Sequence, residues 1–174
     1  MNMKENYVVT IKAEDRPGLL HLVSGVIEKR LVKIKSLSYA PTDIHGIILI
    51  TAEVSGDESV ITRLALKIEN IVEVFTVEVS RYNSLVCLRA AYFKVAKTFL
   101  ESPKAIALSK YDTTIVKFYE DAILLAKYGS DDTILNLYNV LDGPDLLGFS
   151  QSGLITDSKL IGEDLSSVIN RLAA

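Results

Sequence analysis

Asp15, Arg16, Pro17 and Gly18 stand where an alternating apolar run gives way to residues of helical spacing. That junction could hold a small anion. A helix opening at about Pro17 leaves the N–H groups of its first turn without intrahelical partners. The aligned peptide dipoles add partial positive charge there, and a carboxylate fits such a place. Pro17 costs little at a helix start, because its missing N–H is one the helix would not use. Gly18 has no side chain, so a guest or another backbone can come close. Asp15 has two compatible roles: it can accept from an ammonium group, or it can cap the helix.

The other reactive side chains form no such constellation. His21 falls on the same helix and His45 in a loop, and the single cysteine, Cys87, lies in the apolar run Leu85-Val86-Cys87-Leu88. That set has no zinc spacing, and Cys87 reads as a small buried hydrophobe. Asp131-Asp132 and Glu120-Asp121 are adjacent pairs in expected turns, and acid–base work would need them to meet in a pocket. No phosphate loop and no dinucleotide fingerprint is present. The expectation is a protein with no catalytic residues, no metal and no cofactor.

Composition agrees with a globular protein. Of 174 residues, 49 % are hydrophobic and 24 % charged. A net charge of −3 and a pI near 5.4 argue against a nucleic-acid binder, which shows a basic stripe. One cysteine permits no intrachain disulfide and suits a reducing compartment. Met1 to Asn6 is polar, so no leader is expected there. No apolar segment approaches the roughly 18 residues of a membrane span. A cytoplasmic location, with no membrane partner, is expected.

The elements that must position the Asp15–Gly18 junction follow from hydrophobic period. Tyr7–Ala13 alternates as a strand. Leu19, Leu20, Leu22, Val23, Val26 and Ile27 make one helical stripe. Val32–Ala40 and Ile47–Val54 read as strands around the loop Pro41–Gly46. Val60, Ile61, Leu64, Ala65 and Ile68 mark a second helix closed by Asn70, and Val72–Val79 a fourth strand with Phe75, Val77 and Val79 on one face. The order βαββαβ then restarts after Arg81-Tyr82-Asn83. Leu85–Tyr92 is a strand, and Phe93–Leu100 is ambiguous between strand, loop and helix. Ser102-Pro103 reads as a cap and first helical residue for a helix carrying Ala105, Ile106 and Leu108. Thr114–Tyr119 and Ala122–Tyr128 pair as strands, Gly129–Asp132 is a turn and cap, Ile134–Leu141 a helix, and Leu146–Leu154 a last strand. The tail from Thr156 ends in a helical pattern at Ile161, Leu165, Val168, Ile169 and Leu172. The Lys110–Tyr128 stretch, dense in Lys and Tyr, reads as two amphipathic strands with a solvated face or as a contact surface for a partner.

The fold class expected is therefore α+β: two tandem ferredoxin-like βαββαβ modules, each an antiparallel four-stranded sheet with two helices on one face. The domains would be 1–80 and 84–158, followed by a helical tail over 159–174. The run Glu14-Asp15-Arg16-Pro17-Gly18-Leu19-Leu20, closing a strand and opening an amphipathic helix, resembles the ACT-domain signature. Ile34-Lys35-Ser36-Leu37 followed by Ala40-Pro41-Thr42-Asp43, with the tandem modules, resembles the acetolactate synthase small-subunit family.

That resemblance implies a non-catalytic regulatory subunit. It would form a homodimer and bind an amino acid effector, valine or another branched-chain amino acid, at an interface between paired modules. It would modulate a larger catalytic acetolactate synthase chain. The alternative is a stand-alone amino-acid-binding ACT protein. The implied effector residues are Asp15, Arg16, Pro17, Gly18, Leu19, Leu20, Lys33 and Ile34. Asp15 and Lys33 stand where the family carries two asparagines. A Lys33–Asp15 ion pair would fill the site or select another ligand. The family's glycine before the second-strand motif is also replaced, by Leu31-Val32.

Overall fold

The computed structural model describes residues 5–30, 32–103 and 105–158. The expected tail helix over 159–174 lies outside the described residues. The chain divides into two units, one running through Val86 and resuming at Thr156, the other Cys87–Ile155.

The first unit holds β1 (Glu5–Glu14), α1 (Leu19–Glu28), β2 (Lys33–Pro41), β3 (Ile47–Gly56), α2 (Glu58–Glu69) and β4 (Val74–Arg81). The sheet order is β2-β3-β1-β4, with every neighbouring pair antiparallel. The crossover through α1 brings β2 back parallel to β1 but one place away. The short β2–β3 connection then lets β3 fill the gap, antiparallel to both. Alternate residues of the central strands, Val9, Ile11 and Ala13 with Ile48, Ile50 and Ala52, meet the apolar stripes of the helices. Those stripes are Leu19, Val23 and Ile27 on α1 and Ile61, Leu64 and Ile68 on α2, all buried. Burying such a side chain contributes about 1.5–3 kcal/mol, so this face dominates the unit's stability.

Two irregularities change which residues face the helices. In β4 the register shifts so that Ala13 pairs with Val74 and Lys12 with Thr76. Phe75 is the extra residue of a bulge, and Val74, not Phe75, joins Val77 and Val79 in the core. Val72, expected in the strand, is 94 % exposed in the preceding turn. In β2 the register shifts between Ile34 and Ser36. Simple alternation from Ile34 would turn Ser36 and Ser38 inward. The bulge instead brings Leu37 and Tyr39 to the helix face, opposite Ala52 and Ile50.

The second unit repeats the topology with β5 (Cys87–Ala96), α3 (Ala105–Leu108), β6 (Thr114–Phe118), β7 (Ala122–Gly129), α4 (Asp131–Leu141) and β8 (Leu146–Gln151), in sheet order β6-β7-β5-β8. The two-residue strand β9 (Ile155–Thr156) falls at the division between the units. The ambiguous stretch resolves into strand through Ala96, then a 3-10 turn over Lys97–Glu101 that buries Phe99. The expected first helix is one turn long, so this unit has fewer full helices than the first. The apolar contact there is slight: Ala105, Leu108 and Tyr111 are only partly buried against the core, and Ile106 is 74 % exposed. Ser102 does not cap α3, which begins at Ala105; its hydroxyl donates to the Phe99 carbonyl at 2.7 Å. Strand β6 is a sheet edge with all five residues exposed. Part of its Lys–Tyr density is internal, because the Lys94 and Lys117 ammonium groups each lie 4.9 Å from the Tyr119 ring centre.

The cap expected before α4 is present. The Ser130 hydroxyl accepts from the Thr133 N–H at 3.3 Å. Ser130→Ala is expected to lower stability by about 1 kcal/mol, measured as a lowered urea midpoint with an unchanged slope. Among the described residues, no helix is long and apolar enough to cross a membrane.

Candidate functional site

Backbone bonds from two directions fix the loop between β1 and α1. The Glu14 N–H donates to the Glu73 carbonyl at 2.8 Å, and the Asp15 N–H donates to the Gly46 carbonyl at 2.8 Å. Gly18 then takes φ +86°, a left-handed conformation that L side chains rarely adopt. It is the N-cap of α1, which begins at Leu19. The helix therefore starts two residues later than the Pro17 expected, and Pro17 belongs to the turn that leads in. The Leu22 N–H closes onto the Gly18 carbonyl at 3.1 Å and the Leu19 N–H onto Arg16 at 3.2 Å. The N–H groups of Leu20 and His21 have no backbone partner among the described residues.

No side chain caps this helix. Asp15 faces another way: its Oδ1 accepts a hydrogen bond from the Tyr39 hydroxyl. The capping role considered for Asp15 is thus corrected, because Gly18 occupies the cap position and Tyr39 draws the carboxylate aside. That bond raises the Tyr39 phenol above its ordinary value, with burial and the Asp15 charge adding to it. The Arg16 guanidinium pairs with Glu14 at 2.9 Å, Arg16 largely exposed and Glu14 half-buried.

Asp15, Arg16, Pro17, Gly18, Leu20 and Tyr39 line an open pocket of about 430 Å³. Leu19 is not in its wall; it is 1 % exposed and belongs to the core. Lys33 and Ile34 lie at the opposite end of β2. Lys33 pairs with Ser55 and Tyr39 with Ile50, and the intervening strand spans about 20 Å at about 3.3 Å per residue. Within one chain the considered Lys33–Asp15 ion pair cannot form, and Ile34 packs against the core.

Tyr39 is the lining residue that sequence reasoning missed. Its signal was present only as an aromatic residue near the end of an edge strand. His21 and His45 are exposed, and Cys87 is buried. Asp131 is drawn onto Arg89 at 2.5 Å rather than toward another carboxylate. Among the described residues no His, Cys, Asp and Glu group is placed to hold a metal ion. The pocket offers a carboxylate, a phenol and helix-start amides above an apolar floor.

No protein-family model matches the sequence. The "Acetolactate synthase small subunit" of Mycolicibacterium smegmatis is 21 % identical over 159 residues, covering 91 % of this chain and 94 % of that one. The crystal structure of the acetolactate synthase small subunit from Thermotoga maritima superposes with a TM-score of 0.77 at 16 % identity, over 87 % of this chain and 95 % of that one.

Proposed function

We propose, from the premise that this chain is an ACT-domain protein resembling the acetolactate synthase small subunit, that it is a non-catalytic regulatory subunit. It senses an amino acid, with valine or another branched-chain amino acid expected, and modulates a catalytic acetolactate synthase chain in the cytoplasm. The observation that carries this reading is the length of the resemblance, which takes in nearly the whole of both chains and both modules. The pocket at Gly18 supports it independently, because its groups complement an amino acid: amides for the carboxylate, Asp15 for the ammonium, and Pro17 and Leu20 for an aliphatic side chain.

The working unit is a homodimer. Lys33 and Ile34 enter this reading as groups supplied by the second copy across a dimer seam, since their own chain holds them far from Asp15. The effect on the enzyme is a coupling free energy between the effector pocket and the distant catalytic chain.

Calorimetry and thermal melting with valine, leucine and isoleucine test the sensor. Heat of binding and a Tm that rises with ligand concentration are expected. Binding of none of the three removes the branched-chain reading. Co-purification with a catalytic acetolactate synthase chain tests the partner, and its failure with a folded, ligand-binding protein leaves a stand-alone sensor.

A further inference from the structure

Within the pocket, the Tyr39–Asp15 pair has a consequence for what the site accepts. Asp15 is exposed on a loop, and the two bonds at Glu14 and Asp15 anchor its backbone but not its carboxylate. The Tyr39 hydroxyl anchors the carboxylate, reaching it from a strand that the β2 bulge has turned toward the helices. A phenol donates a hydrogen bond without bringing a positive charge. One donor on Oδ1 leaves the other acceptor positions of the carboxylate open. Arg16, the cation in the pocket wall, is engaged with Glu14. Within its own chain the carboxylate is therefore oriented but not neutralised.

We propose that Tyr39 is the specificity-determining residue of this pocket: by fixing the Asp15 carboxylate it makes the site select its effector by an ammonium group, so that a 2-amino acid is taken in preference to the 2-oxo acid of the same skeleton. This rests on the reading of the pocket as an amino-acid site. The two ligands share a carboxylate and a side chain. They differ where Asp15 waits: an ammonium donates to it, whereas a ketone oxygen presents lone pairs to lone pairs. A phenol is protonated, and hence a donor, throughout the neutral range, and the Asp15 bond moves its titration further from it.

The experiment compares valine, leucine and isoleucine with their 2-oxo acids, by calorimetry on the full chain. The wild type is expected to favour the amino acid by about 10-fold or more, the size of a charge-assisted hydrogen bond. Tyr39→Phe is expected to cut that preference by about 3- to 10-fold, with little change in affinity for the oxo acid. In an Asp15→Asn background the same substitution is expected to change the ratio by less than about twofold, as a double-mutant cycle requires of a coupled pair. A merely structural role for Tyr39 would weaken both ligands alike and leave the ratio unmoved, which overturns the proposal while the sensing function stands. If the wild type binds none of the three amino acids, the functional reading falls and takes this proposal with it. Tyr39 is 40 % exposed, so Tyr39→Phe should fold, and a melting curve verifies that.

Discussion

Gly18→Asp is expected to weaken valine binding by about 100-fold or more, equivalent to about 2.7 kcal/mol, with stability lowered by no more than about 2 kcal/mol. The backbone there sits at φ +86°, and an added Cβ would meet nothing within 4 Å, so space is not the obstacle. Asp is among the side chains that tolerate the left-handed region. Its conformational cost of about 1–2 kcal/mol is partly offset by placing a negative charge at a helix start, about 0.3–1 kcal/mol. The ligand fares differently. The new carboxylate would compete for the Leu20 and His21 amides and repel the effector's own carboxylate. At about 4 Å and an effective dielectric near 20, that repulsion alone is about 4 kcal/mol. Gly18→Val separates the two effects. It adds no charge, but a β-branched residue in this conformation costs on the order of 1–3 kcal/mol, so it should lower Tm further. Paired calorimetry and thermal melts distinguish them. Undiminished valine affinity in Gly18→Asp would place the anion site elsewhere.

Phe93→Ala is expected to destabilise the second unit by about 3–5 kcal/mol. Phe93 is fully buried at the centre of β5, paired with Leu125 of β7 and Phe149 of β8. Its ring lies 5.0 Å from that of Phe149, which in turn meets Tyr138 edge-on at 5.1 Å. This unit has one full helix where the first has two, so less apolar surface shares the load. Domain stabilities of about 5–15 kcal/mol leave little margin for such a loss. Urea denaturation should show an early transition, and hydrogen exchange should locate it in β5 and β7. Val72→Ala, at a site 94 % exposed, serves as the contrast and should leave the midpoint in place. A Phe93→Ala loss below about 1 kcal/mol would mean that this ring does not organise the core.

Much of this molecule was legible as period and punctuation. The stripes of α1, α2 and α4 contain their buried residues, because a helix needs only its own sequence to decide which side is apolar, but the α1 stripe was read too wide: Leu20 and Leu22, counted in it, are 39 % and 52 % exposed. The alternation of β1, the apolar run of β3 and the short connection between β2 and β3 were enough for a four-stranded antiparallel sheet. Ser130 announced its helix because a cap acts within three residues. The Asp15–Gly18 corner was visible for the same reason: a proline, a glycine and the start of a stripe are local facts.

Register belonged to the tertiary structure. A single extra residue in β2 inverts every side chain beyond it, and no local pattern at Ile34–Ser36 announces that shift. It is what turns Tyr39 inward to meet Asp15, 24 positions away in the chain. The same kind of bulge in β4 exchanges Phe75 for Val74. Distance along a strand was likewise a matter of folding, since Lys33 and Asp15 fall at two positions of one expected site and lie at opposite ends of the sheet. Local spacing thus sufficed to place the Asp15–Gly18 corner at the start of α1. Which partner holds its carboxylate depended on how the strands slid past one another, because pairing energy is settled between segments and not within them.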